Sequence, residues 1–196
     1  MHVRLVVSRI AAVALLAPLL VVAHAWPEQS GVDLALADAG LVLLLVGCVG
    51  RIWCAAHIAG RKDAELVTEG PFSICRNPLY LFSLCAFLGV GLSFESLVAT
   101  AAFAALFCLT HLPAIRREER NLAARFGDAY GSYVNRVPRL MPNLGLYVPA
   151  RALTISAPAF TRTLVEAALI PLAYLGAQGI EAAQQAGLLP VLAHVY

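Results

Sequence analysis

The chain has 196 residues, of which 60% are hydrophobic and only 13% charged. Charged residues make up about a quarter of a soluble domain, so this composition excludes an ordinary water-soluble fold and points to an integral membrane protein. The 14 basic and 12 acidic residues leave a net charge of +2, too small a surplus to signal nucleic-acid binding.

No linker, low-complexity stretch or internal repeat divides the chain, which reads as a single domain over 1–196. A membrane-crossing helix needs about 20 mostly apolar residues. The candidates, in chain order, are Leu5–Trp26, Leu34–Ile58, Leu79–Ile115 and Leu164–Ile180. Leu79–Ile115 holds no lysine or arginine, and Gly91-Leu92-Ser93-Phe94-Glu95 interrupts it, so it reads as a tight hairpin of two spans. The expected fold class is all-α, a multi-pass membrane helix bundle of about five spans with an amphipathic cytoplasmic helix after the fourth. The final "LLPVLAHVY" is too short to cross.

Basic residues orient this arrangement. They lie within 1–9, 51–78, 116–139 and the stretch up to Arg162, whereas Glu28, Asp33, Glu95 and Glu181 fall on the opposite side. By the positive-inside rule the N-terminus is cytoplasmic and the C-terminus outside. Arg4, Arg9, the apolar run after them and Ala23-His24-Ala25 also fit a cleavable signal peptide, whose removal leaves the remaining orientation unchanged. Cys48, Cys54, Cys75, Cys85 and Cys108 form no CxxC pair and the five histidines are scattered, so no metal site is expected.

The segment "LVTEGPFSICRNPLY", Leu66–Tyr80, opens the hairpin. Gly70-Pro71 is a turn signal. Asn77-Pro78 reads as a helix start, because asparagine caps well and proline lacks the N–H that would go unpaired there. Helix starts attract anions, and Arg76 adds a full charge. The pattern serves either a capped membrane helix or a ligand corner at the cytoplasmic face.

Beyond the hairpin, Ile115, Glu119, Leu122 and Phe126 recur at helical spacing, which places Glu119 on an apolar stripe. A carboxylate there needs a partner: Arg76, Arg51 or a ligand's hydroxyl and ammonium groups. Glu118 shares a side with Arg125 and, with Arg116, Arg117 and Arg120, fits a solvated charge run. Gly127 ends the helix, and Tyr130, Tyr133 and Arg136 read as interfacial anchors. Arg51 and Glu166, inside apolar spans, read as snorkelling or paired.

Taken in order, "GRIW" (Gly50–Trp53), Leu66–Tyr80, the hairpin, "REER" (Arg117–Arg120), "FGDAYGSY" (Phe126–Tyr133) and "RVPRLMP" (Arg136–Pro142) resemble the isoprenylcysteine carboxyl methyltransferase and phospholipid methyltransferase family of integral membrane enzymes. The likeness spans about 51–142, roughly half the chain. It implies an S-adenosylmethionine-dependent membrane methyltransferase acting on a lipid or lipophilic acceptor, and the alanine- and arginine-rich composition suggests a bacterial inner membrane. The family's Arg-His-Pro motif maps onto Arg76, Asn77 and Pro78, with asparagine replacing histidine, and its Glu-Glu motif onto Glu118 and Glu119. Cofactor-binding residues implied by the resemblance are Arg76, Asn77, Pro78, Tyr80, Glu118 and Glu119, with Tyr80 and Tyr130 as walls. Competing functions are a nicotinamide-dependent membrane reductase of the sterol-reductase-like type and a non-catalytic membrane accessory protein.

Overall fold

A computed structural model describes residue 14 and residues 16–27, 30–61 and 64–196. In chain order its elements are β1 (Val22–His24), α1 (Gly31–Ile58), the single turn α2 (Pro71–Ile74), α3 (Pro78–Leu92), α4 (Leu97–Arg136), a 3-10 turn (Leu144–Leu146), α5 (Ala157–Ala168), α6 (Leu172–Gln185) and β2 (Ala193–Val195). Three helical stretches among the described residues are long and apolar enough to cross a membrane: Gly31–Ile58, Leu97–Arg136 and Ala157–Gln185. At 1.5 Å per residue the 28 residues of α1 reach about 42 Å, comfortably more than a hydrocarbon core of about 30 Å.

The hairpin forms where the glycine-bearing interruption falls, with α3 ending at Leu92 and α4 starting at Leu97. Its first arm has 15 residues, about 22 Å, shorter than a full crossing. The expected first span, Leu5–Trp26, and the signal-peptide alternative begin outside the described residues; within them residues 14 and 16–19 are helical, and a turn at 20–21 leads into β1, so no helix runs through to Trp26. No break falls at the expected end of the apolar run near Ile115: helical geometry continues from Leu97 until Gly127, whose backbone (φ 49°, ψ −124°) is not helical. The helix that starts at Leu97 therefore ends at Gly127, as expected, and a second helical stretch leads on at once to Arg136.

The described residues fall into two compact units, to which α1, α3 and α4 each contribute. The first comprises described residues of Met1–Val46 together with Leu84–Thr110 and Leu169–Tyr196. Its core holds Leu19, Ala99 and Phe103, with Phe87, Val90 and Phe94 packed against them. A Cβ at Gly91 would collide with the Thr100 backbone, so the two arms of the hairpin approach more closely than any side chain allows. Strands β1 and β2 pair in parallel with His24 opposite Val195. In the turn before α4, Ser96 caps the helix by accepting from the Ala99 N–H at 3.1 Å. Glu95 is buried there with positive φ (47°); its carbonyl accepts from the Trp26 indole and its carboxylate from Gln178. Burial, with the carboxylates of Glu181 and Asp33 nearby, pushes the Glu95 carboxyl up to about 8.

The second unit comprises Gly47–Ser83 and His111–Ala168. Its core is the segment 70–78, laced to residues 138–148 by backbone bonds: Gly70 N–H to Val148 O, Arg76 N–H to Pro138 O and Asn143 N–H to Ile74 O, all at 2.8–2.9 Å. Ser73 Oγ donates to Gly70 O and accepts from Val148 N–H. Tyr130 and Tyr133 are not interfacial anchors. Both are buried with Val137 against Leu66, Leu122 and Phe126, and the Tyr133 hydroxyl donates to Phe72 O at 2.6 Å. Helical spacing after the Gly127 bend turns them inward, whereas Arg136 is exposed.

Gly70 has φ +58°, and a Cβ there would strike the His57 ring. Gly70→Ala is therefore expected to cost more than about 1 kcal/mol, read as a lowered thermal unfolding midpoint in detergent. An unchanged midpoint would mean that this turn is free to relax.

Candidate functional site

Within the second unit, α3 begins at Pro78, and the Asn77 carbonyl accepts the first helical N–H groups, from Tyr80 and Leu81, both at 3.1 Å. Asparagine thus stands at the cap position, but its side chain is committed elsewhere. Its Nδ2 donates to Glu119 Oε1 at 2.9 Å and to the Arg139 carbonyl at 3.1 Å. An amide NH2 carries two donors, and both are used. The Asn77 side chain therefore joins three chain segments.

Glu119 receives three donors in all. Besides Asn77, the Arg139 guanidinium grips it in a fork, Nε on Oε1 at 3.2 Å and Nη2 on Oε2. The Arg76 guanidinium lies 3.9 Å from Oε1. The partner expected for a carboxylate on an apolar stripe is thus present, and it is mainly Arg139. Arg51 does not serve: its Nη1 donates to Ser83 Oγ at 2.6 Å instead. Glu119 and Arg76 are 15% and 14% exposed, so this pair is well sheltered, whereas Arg139 at 43% is more open. Glu118 takes a different role, accepting from the Tyr80 hydroxyl at 2.8 Å and bracing α3 against α4.

A cavity of about 450 Å³ opens on this constellation, lined by Arg76, Arg116, Glu119, Arg120, Ala123, Tyr130, Val134 and Arg139. Of the residues expected at a site, Arg76, Glu119 and Tyr130 line it. Asn77 holds Glu119 from behind, Pro78 is buried, and Tyr80 and Glu118 lie outside the lining. Sequence reading missed Arg139 and assigned Arg116 and Arg120 to a solvated run. The available signal for Arg139 was an arginine set between Pro138 and Pro142, in a stretch whose bends return the chain. Four guanidinium groups against one carboxylate make the cavity strongly cationic. The Arg76 Nε is buried with no hydrogen-bond partner, a donor held ready for an acceptor.

Cys75, next to Arg76, is not a nucleophile. It is buried, its Sγ donates to the Arg139 and Leu140 carbonyls, and burial pushes its thiol up to about 11. At pH 8 roughly one molecule in a thousand would carry the thiolate. Cys75 should resist N-ethylmaleimide in the folded protein and react only on denaturation, as read by peptide mass spectrometry. Rapid labelling under native conditions would contradict the packing around this site.

Residues 31–129 match the family model described as phospholipid methyltransferase. The chain is 37% identical over 163 residues to the cobalt-zinc-cadmium resistance protein CzcN of Cupriavidus metallidurans, covering 83% of this chain and 74% of that one. It is 32% identical over 171 residues to the nickel-cobalt-cadmium resistance protein NccN of Alcaligenes xylosoxydans xylosoxydans, covering 87% of this chain and 80% of the relative. A shorter likeness, 32% over 81 residues, links it to the protein-S-isoprenylcysteine O-methyltransferase of Schizosaccharomyces pombe, covering 41% of this chain and 34% of that enzyme. No solved structure matches the chain significantly. With its apolar helices and this match across half its length, the chain belongs to the phospholipid methyltransferase family.

Proposed function

We propose that this chain transfers a methyl group from S-adenosylmethionine to a lipophilic acceptor at the cytoplasmic face of a bacterial inner membrane. The observation that carries the reading is the Asn77–Glu119 hydrogen bond, which joins the two family-like motifs beside one cavity. The clustering of basic residues in 51–78 and 116–139 supports a cytoplasmic position for it.

The residues present fit such a cofactor. A volume of about 450 Å³ suits a small molecule. The unpartnered Arg76 Nε would hold the carboxylate of the methionine moiety. Glu119 keeps one acceptor position on Oε2 after its three bonds, enough for a ribose hydroxyl or the ammonium group. Asn77 can fill the place of the family's histidine here, because the task is to donate a hydrogen bond. When bound, the cofactor supplies a methyl group on a sulfonium, open to in-line displacement.

The protein's share of the reaction is alignment and exclusion of water, which in well-oriented systems is worth about 7–11 kcal/mol. Arg139 and Asn77 position Glu119, Tyr80 and Glu118 brace the two helices, and Tyr130 walls the cavity. The surplus of guanidinium groups favours an acceptor that carries an anionic group, such as a phosphate or carboxylate, beside its apolar body. The resistance names of CzcN and NccN suggest a setting of exposure to toxic divalent metals.

Calorimetry in detergent tests the cofactor assignment. Arg76→Ala and Glu119→Ala are each expected to weaken S-adenosylmethionine binding roughly tenfold or more, the loss of one charge-assisted hydrogen bond, with helical content by circular dichroism unchanged. Unaltered affinity in both variants would remove these residues from the site. Radiolabelled donor given to membranes with and without the protein identifies the acceptor; binding of a reduced nicotinamide in its place would favour the reductase reading.

A further inference from the structure

The first unit gathers a second set of charged groups, unrelated to the cavity above. His24 comes from β1, Asp33 from the first turn of α1, Glu95 from the turn before α4 and Glu181 from α6. His24 Nε2 faces Glu181 Oε1 at 3.6 Å, and Nδ1 faces Asp33 Oδ1 at 3.7 Å. One ligand atom from each of His24, Glu95 and Glu181 lies within 4.8 Å of the others. The His24 side chain is 7% exposed, and its buried Nδ1 takes part in no hydrogen bond.

The charge balance here is unusual. Asp33 and Glu95 are buried and Glu181 is partly so. Residues 10–50, 77–115 and 163–196 contain no lysine or arginine, so those segments offer no permanent cation to the cluster. A buried carboxylate is costly to keep charged without a cation, and among the described residues the side-chain partners of Glu95 and Glu181 are Gln178, Gln185 and His24.

We propose that His24, Glu95 and Glu181 bind a divalent transition-metal cation, with Asp33 behind the imidazole as its orienting carboxylate. The donor set is one imidazole nitrogen and carboxylate oxygens, which suits zinc, cobalt or nickel; calcium takes six to eight oxygens instead. Nε2 is the ligating nitrogen, since it faces Glu181 while Nδ1 faces Asp33 at 3.7 Å; shortening that approach to a hydrogen bond on metal loading would give the carboxylate–histidine–metal arrangement that fixes tautomer and ring. Metal–ligand bonds of about 2.0–2.2 Å in a tetrahedron set donor atoms about 3.4 Å apart. The present 3.6 Å between His24 and Glu181 is close to that spacing. His24 and Glu181 also line a cavity of about 360 Å³, which supplies a route of entry and room for a water ligand. Sequence reading found no metal site because the ligands come from three distant segments with no spacing motif.

The test uses the full, tag-free chain in detergent, with Co²⁺ or Zn²⁺ alone as the probe. Wild type is expected to take up one equivalent of Co²⁺ with the intense visible absorption of a four-coordinate site, displaced by Zn²⁺, and to gain thermal stability on loading. His24→Ala should abolish this binding, and Asp33→Asn should weaken it by more than about tenfold. Glu181→Gln alters a partly exposed side chain and keeps the test decisive if His24→Ala does not fold. Three results would each overturn the proposal: no Co²⁺ or Zn²⁺ uptake by wild type, unchanged affinity in Glu181→Gln, or tighter binding of Ca²⁺ than of Zn²⁺.

Discussion

The candidate site depends on one sheltered carboxylate being held by donors from distant parts of the chain. Glu119 sits on the inward stripe of α4, where an unpaired charge would not be tolerated, and its donors come from two other parts of the chain. Asn77 lies 42 residues before it and Arg139 lies 20 after it. Each donor is also fixed by its own surroundings: the same Asn77 amide reaches the Arg139 carbonyl, and the neighbouring Arg76 N–H is bonded to Pro138 O. The carboxylate thus closes a ring of interactions through α3, α4 and the return segment, and the cavity is the space left on the open side of that ring.

Much of this was legible in the sequence, and what was missed has physical reasons. Periodicity put Glu119 on the apolar stripe, and Gly70-Pro71 and Asn77-Pro78 marked turns and helix starts that the structure contains. Periodicity could not supply the partner. Arg139 lies beyond a bend, where helical spacing no longer ranks neighbours, and Arg51 was an equal candidate until its bond to Ser83 was seen. Tyr130 and Tyr133 were misread because amphipathic rings suit both an interface and a core, and only the direction taken after Gly127 decides between them.

The two units solve the same electrostatic problem in opposite ways. Basic residues are segregated along this chain, so carboxylates in the second unit find guanidinium partners, as Glu119 does with Arg139 and Glu69 with Arg61 at 2.8 Å. In the first unit Asp33, Glu95 and Glu181 lie within the stretches 10–50, 77–115 and 163–196, which hold no lysine or arginine. The distribution of basic residues that orients a membrane protein therefore also decides which of its carboxylates have a nearby arginine in sequence. In a family defined by methyl transfer, that shortage is a property of this sequence and of its particular distribution of arginines.

The bend at Gly127 carries a consequence for how this segment can vary. Were α4 straight, the seventeen residues from Glu119 to Arg136 would advance the chain about 26 Å along the axis, stranding Arg139 well beyond reach of Glu119. A left-handed backbone at a single glycine makes the doubling-back possible, and the register from there to Arg139 has little slack. One residue added or lost between positions 127 and 139 would rotate the buried tyrosines by about 100° and misalign the fork, so this stretch should tolerate exchange of side chains far better than any change of length.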